Sequence, residues 1–158
     1  GTIAYSTREF TLTNTPVARA WEFASDKEEW LFSNQVSGFT SSNGTLGGAI
    51  VGPSAEIFTS GNLGVPIGPA SNQKVRIRLK NTSAATQAKF YWLRDDDLTW
   101  TTSKSKVFAI NANSDWTEYL VDLSSVPGWR GVMHTFNLYP ALGVSSGSFS
   151  VDYIHIEP

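Results

Sequence analysis

The chain of 158 residues contains no cysteine. That excludes a disulfide framework, a thiolate zinc site and a cysteine nucleophile together. Histidine is nearly as scarce, and His134 and His155 do not stand in a metal-ligand spacing such as His-x-x-x-His. No apolar run approaches the eighteen or so residues that a membrane helix needs. Charged residues make up 16%, with 12 Lys and Arg against 14 Asp and Glu. A faintly acidic chain lacks the electrostatic footprint of a nucleic-acid binder, so neither nucleic acid nor a membrane is expected as a partner. No Gly-x-Gly-x-x-Gly precedes a helical segment, and no phosphate-cradling loop is expected. The opening Gly1-Thr2-Ile3-Ala4 does not read as a secretory signal.

What the chain has instead is aromatic side chains: 9 Phe, 5 Tyr and 6 Trp, or 13% of the residues. Large flat rings have two common uses in a small domain, filling a core and stacking on a planar or sugar ligand. Typical burial of Trp assigns roughly four of the six to the core, and Trp30, Trp116 and Trp129 are expected there.

Period-two alternation recurs along the whole length, and helical periodicity hardly appears. In Lys74-Val75-Arg76-Ile77-Arg78-Leu79-Lys80 the apolar residues face one way and the cations the other, which reads as a strand buried on one face. Further strands are expected over Val17–Phe23, Gly48–Val51, Glu56–Thr59, Ala88–Leu93, Lys106–Ile110, Thr117–Asp122, Val132–Leu138 and Ser148–Ile156. Between them stand turn-rich pieces such as Ser41-Ser42-Asn43-Gly44 and Val126-Pro127-Gly128. Gly61–Ser71 reads as a crossover between sheets. Short strands without a convincing helix predict an all-β, two-sheet antiparallel β-sandwich of eight to ten strands, in one domain over residues 1–158.

The acidic residues offer little catalysis. Adjacent carboxylates such as Glu28-Glu29 point to opposite faces of a strand or stay solvated in a loop, and Asp95-Asp96-Asp97 reads as a turn between Leu93 and Leu98. Calcium is a better use, because its six to eight oxygen ligands include many backbone carbonyls. Glu22, Asp26 and Asp152 are the expected ligands of a structural Ca²⁺, since first and last strands are often neighbours in a sandwich.

Trp21-Glu22-Phe23 with Asp26 and Glu29-Trp30, then Gly44-Thr45-Leu46 with Gly48, then Lys80-Asn81-Thr82-Ser83 and Phe90-Tyr91-Trp92 follow one another in a familiar order. Glu118–Ser124, Trp129-Arg130-Gly131, Leu138-Tyr139-Pro140 and Val151-Asp152-Tyr153-Ile154 complete the series. Over roughly residues 20 to 156 the chain resembles galactose-binding-like jelly-roll carbohydrate-binding modules of bacterial extracellular polysaccharide-degrading enzymes and surface-layer proteins. It departs from their pattern where Arg-x-Asp-Pro is expected and Asn137-Leu138-Tyr139-Pro140 stands, exchanging charge for an amide and a ring. The resemblance implies an extracellular, non-catalytic module that binds a polysaccharide or oligosaccharide and is tethered to a catalytic domain.

Sugar binding needs rings that stack on pyranose faces and planar polar groups that grip hydroxyls. The expected site is the outward face of the sheet holding Lys74–Lys80. Arg76 and Arg78 are its donors, Trp92 and Trp100 its stacking rings, and Asn137 and Tyr139 close it from a neighbouring strand. The alternation leaves open whether Trp92 faces in with Phe90 or out. Two other readings are a glycan hydrolase or lyase on the same fold, and a structural or adhesive spacer that binds no sugar.

Overall fold

The computed structural model describes residues 19–158. The segment Gly1–Ala4 and the start of the expected first strand at Val17-Ala18 lie outside the described residues. Among them the elements are β1 (Arg19–Trp21), β2 (Phe32–Asn34), β3 (Val36–Ser42), β4 (Thr45–Ile50), β5 (Glu56–Phe58), β6 (Val65–Ile67), β7 (Lys74–Asn81), β8 (Gln87–Arg94), β9 (Ser105–Ala109), β10 (Ser114–Asp122), β11 (Gly131–Tyr139) and β12 (Ser148–Glu157), with one short 3-10 turn at Thr102–Lys104. The first sheet runs β10-β7-β12-β4-β3, and β1 also pairs with β12. The second runs β2-β5-β11-β8-β9, and β6 also pairs with β11. Neighbours are antiparallel throughout, including the first and last described strands, with Arg19 opposite Ile156. The fold is a two-sheet jelly-roll β-sandwich.

Each strand reaches this arrangement by burying alternate side chains. Val75, Ile77 and Leu79 from β7 meet Val151, Ile154 and Ile156 from β12 within the first sheet, and all are buried. Ala88, Phe90 and Trp92 from β8 and Met133, Phe136 and Leu138 from β11 face them from the second sheet. Aromatic pairs fill the middle: Trp92 lies edge-on to Trp129 at 4.9 Å, and Trp129 stacks on Phe136 at 5.8 Å. Trp21 meets Trp30 edge-on at 5.6 Å. Such contacts add about 0.5–1.5 kcal/mol each beyond their buried area.

Four Trp are buried, as the composition implied, but Trp116 is not among them. In β10, Thr117, Tyr119 and Val121 stand opposite Leu79, Ile77 and Val75 and point inward, so Trp116 shares the outward parity of Glu118 and Leu120. It is half-buried there, with the Arg78 guanidinium 5.1 Å from its ring.

The twelve strands among the described residues exceed the expected eight to ten because β2, β3 and β6 lack the sequence signal. β6 carries Pro66 and β3 is rich in Ser and Gly. Such strands form because a neighbour recruits them; Val65–Ile67 is held by β11. The Asn-Gly turn forms as expected. Asn43 and Gly44 have φ of 55° and 77°, the two-residue primed turn that matches strand twist, and it joins β3 to β4.

Candidate functional site

The outer face of the second sheet carries Phe32 and Trp100, the most exposed rings among the described residues. Because Phe90 and Trp92 point into the core, Tyr91 and Lys89 of β8 point out. By the same parity Phe136 and Leu138 turn Asn137 and Tyr139 of β11 outward, and Ile57 turns Glu56 and Phe58 of β5 outward. The registers then set a row across the sheet: Phe32 opposite Phe58, Phe58 opposite Asn137, Asn137 opposite Tyr91, and Tyr91 opposite Ser105.

Glu56, Tyr91, Asn137, Tyr139 and Trp100 line a recess of about 260 Å³ in this face. Trp100, 44% exposed, stands edge-on to Tyr91 at 5.4 Å, and Tyr91 lies 6.1 Å from Tyr139. Lys89 Nζ sits 4.8 Å from the Tyr91 ring and 5.7 Å from that of Tyr139. Asn137 Nδ2 donates to Glu56 Oε1 at 2.6 Å. Its Oδ1 is buried, with no hydrogen-bond partner among the described residues. Burial, and then the Glu56 charge, push the Tyr139 hydroxyl above its ordinary pKa.

The loop after β8 holds Trp100 in place. Arg94 and Asp97 bridge through their backbones, and Arg94 Nε donates to Asp96 Oδ1 at 2.8 Å. Lys104 is 1% exposed and places Nζ 3.0 Å from both the carbonyl and the Oδ2 of Asp97. The Arg94 guanidinium holds the Asp96 carboxyl below its usual range, and the Lys104 ammonium does the same for Asp97. The triple Asp is therefore a turn, anchored by buried cations.

Trp100, Asn137 and Tyr139 are brought together as expected, but three other expected residues are not with them. Trp92 is 0% exposed, on the core side of β8, with Nε1 donating to the Gly128 carbonyl at 2.9 Å. It cannot stack on a ligand. Arg76 and Arg78 lie on the outer face of the first sheet, whereas β11 belongs to the second, so they share no surface with Asn137 and Tyr139. Both cations are also paired. Arg76 donates to Glu157 Oε1 at 2.7 Å and Glu118 Oε1 at 2.8 Å, and Arg78 to Asp152 Oδ2 at 2.7 Å. This is a solvated, ion-paired strand face. Tyr91 and Glu56 were not foreseen. The alternation Glu56-Ile57-Phe58 carried the signal for Glu56, once Ile57 is taken as core.

The calcium ligand set is not assembled either. Asp152 is bound to Arg78, Glu22 Oε2 meets His155 Nε2 at 2.6 Å, and Asp26 Oδ1 accepts the Glu28 amide at 2.7 Å. Among the described residues no three His, Asp or Glu side chains come together in a group able to hold a metal ion. Gly143-Val144-Ser145-Ser146-Gly147 matches the letters of a nucleophile elbow but leads into strand β12 rather than a helix. No helix among the described residues is long and apolar enough to cross a membrane.

The ion pairs of the first sheet predict an acid limb. The Tyr153 hydroxyl and Arg76 depress the Glu118 pKa. A carboxylate lowered in the folded state stabilises above its unfolded pKa, and that contribution is lost as pH falls through the lower folded value. The melting temperature is expected to hold from neutrality down to roughly pH 5 and to fall below about pH 4. Glu118→Gln, compared with the parent by calorimetry across this range, should lower the neutral plateau and narrow the gap at acid pH. An equal gap at every pH would refute the assignment.

No protein-family profile matches the sequence, and no curated protein matches it. Solved structures do. The CBM1 of BiXyn10A, in its apo form, superimposes with a TM-score of 0.57 at 15% identity, covering 91% of this chain and 99% of that one. The low-affinity xylan-binding module CBM86 of the xylanolytic gut symbiont Roseburia intestinalis does so at 0.56 and 8%, covering 89% and 95%. The K1 cleaved adhesin domain of Lys-gingipain from Porphyromonas gingivalis W83 does so at 0.56 and 13%, covering 90% and 97%. This chain shares the β-sandwich fold of these modules.

Proposed function

We propose that the protein is a non-catalytic module that binds a neutral, hydroxyl-rich polysaccharide on the outer face of its second sheet. The observation that carries this reading is the recess that Tyr91, Trp100 and Tyr139 form with Glu56 over Asn137. The rings stack on pyranose faces, while Glu56 and Tyr139 at the recess grip the sugar hydroxyls. One carboxylate and one ammonium, Glu56 and Lys89, flank the recess, which favours a neutral glycan over an acidic one. Fold likeness to two carbohydrate-binding modules supports the reading. It extends to an extracellular setting in which the module holds an attached enzyme on its substrate.

Affinity electrophoresis against a polysaccharide panel tests this. Retardation by at least one neutral polymer is expected, with no new reducing ends or unsaturated products. A protein retarded in no gel is a spacer, and one that releases products is an enzyme. Arg76→Ala and Arg78→Ala are expected to bind as the parent does, because both cations lie on the other sheet; loss of retardation in either would move the site to the first sheet.

A further inference from the structure

The recess occupies only part of the row that crosses the second sheet. Beyond Asn137 the same row continues to Phe58 and then Phe32, whose rings stack at 5.3 Å with an interplanar angle of 25°. Phe32 is 47% exposed, although it has an apolar ring on a solvent face and stands on an edge strand. Asn34 and Glu56 flank the pair on the polar side, Nδ2 to Oε2 at 3.4 Å. Nothing in the core explains the pair. It is a second apolar patch on the same face of the sheet.

Neighbouring strands lie about 4.8 Å apart. From Phe58 across Asn137 to Tyr91 is two strand steps, and from Phe32 it is three. The step is close to the advance of one unit along an extended, β-linked pyranose chain. A chain lying across the strands would pass Phe32, Phe58, the strand position of Asn137, itself 4% exposed, and Tyr91 at successive steps, with Trp100 beside the last.

We propose that this face binds internal stretches of an extended, β-linked neutral glycan, at least four units long and crossing the strands, with Phe32 and Phe58 forming the far subsites. This rests on the proposed function and goes beyond it in fixing ligand length, direction and two further contact residues. A sugar end or a disaccharide fills only the Tyr91–Trp100 recess and leaves the Phe pair uncovered. The Phe pair adds affinity only for ligands that reach it.

The test is calorimetric titration with an oligosaccharide ladder, disaccharide to hexasaccharide, cut from the polysaccharide that retards the protein most, xylo-oligosaccharides where that polymer is xylan. For the parent, affinity should climb by at least tenfold between disaccharide and tetrasaccharide. Phe32→Ala and Phe58→Ala, checked for parental circular dichroism, should leave disaccharide affinity unchanged and flatten the climb. Should Phe58→Ala fail to fold, the more exposed Phe32→Ala decides alone. Affinity that saturates at the disaccharide, or a ladder unchanged in the variants, overturns the extended site and leaves the recess standing. A parent retained by no polysaccharide overturns both.

Discussion

Trp92→Ala is expected to destabilise the domain severely and to leave the affinity of the surviving folded fraction near the parent's. The ring is fully buried, edge-on to Trp129 and 6.3 Å from Phe90, in register with Phe136 across β11. Truncating it leaves a cavity where three aromatic neighbours cannot collapse, at about 3–5 kcal/mol for a buried Trp. The lost Nε1 bond also leaves the Gly128 carbonyl with a weaker partner, Arg94 at 3.4 Å. Against a total stability of about 5–15 kcal/mol, the melting temperature should drop on the order of 10 °C. Thermal or denaturant unfolding measures this directly. A variant as stable as the parent would contradict the burial of Trp92 and restore it as a surface ring.

That reversal shows where the sequence is legible and where it is not. The strand at Lys74–Lys80 could be read because apolar and charged residues alternate cleanly, and every side chain took the expected face. Phe90-Tyr91-Trp92 could not, because three consecutive rings erase the contrast on which parity depends. The answer comes from outside the strand: Phe90 and Trp92 stand opposite Leu138 and Phe136, and those two must be inward because Asn137 and Tyr139 are polar. Reading β8 together with β11 would have turned Trp92 in and Tyr91 out. Trp116 is the opposite error, a large ring assigned to the core against the parity of Val121 in its own strand.

The displacement of the site from one sheet to the other has a different cause. Alternation tells which way a side chain points relative to its strand and nothing about which sheet the strand joins. Arg76 and Tyr139 both point outward, yet on opposite sides of the sandwich, because β7 and β11 belong to different sheets. Pairing between strands far apart in sequence is set by the packing of the whole core, so no local pattern records it. The polar partners of Arg76 and Arg78 are equally non-local: Glu157 and Asp152 lie more than seventy residues away along the chain.

Trp100→Ala should behave as the mirror image of Trp92→Ala, folding nearly as well as the parent and binding far more weakly. At 44% exposure the ring contributes little to the core, and its edge contact with Tyr91 is worth about 1 kcal/mol of stability. Toward a glycan it presents an open face. A stacked ring that removes about 60 Å² of apolar surface from water adds roughly 1.5 kcal/mol at 25 cal/mol per Å², before any specific stacking term. Affinity should fall at least about tenfold, since each factor of ten is 1.4 kcal/mol. Tyr91→Ala should cost as much or more, because it removes one stacking ring and the support of another. The double variant should lose less than the sum of the two, since Tyr91 positions Trp100 and contacts in one cluster are not additive. Titration of both single variants and the double variant with the retained polysaccharide decides the matter. If both single variants fold and bind as the parent does, the ring recess is not the binding site.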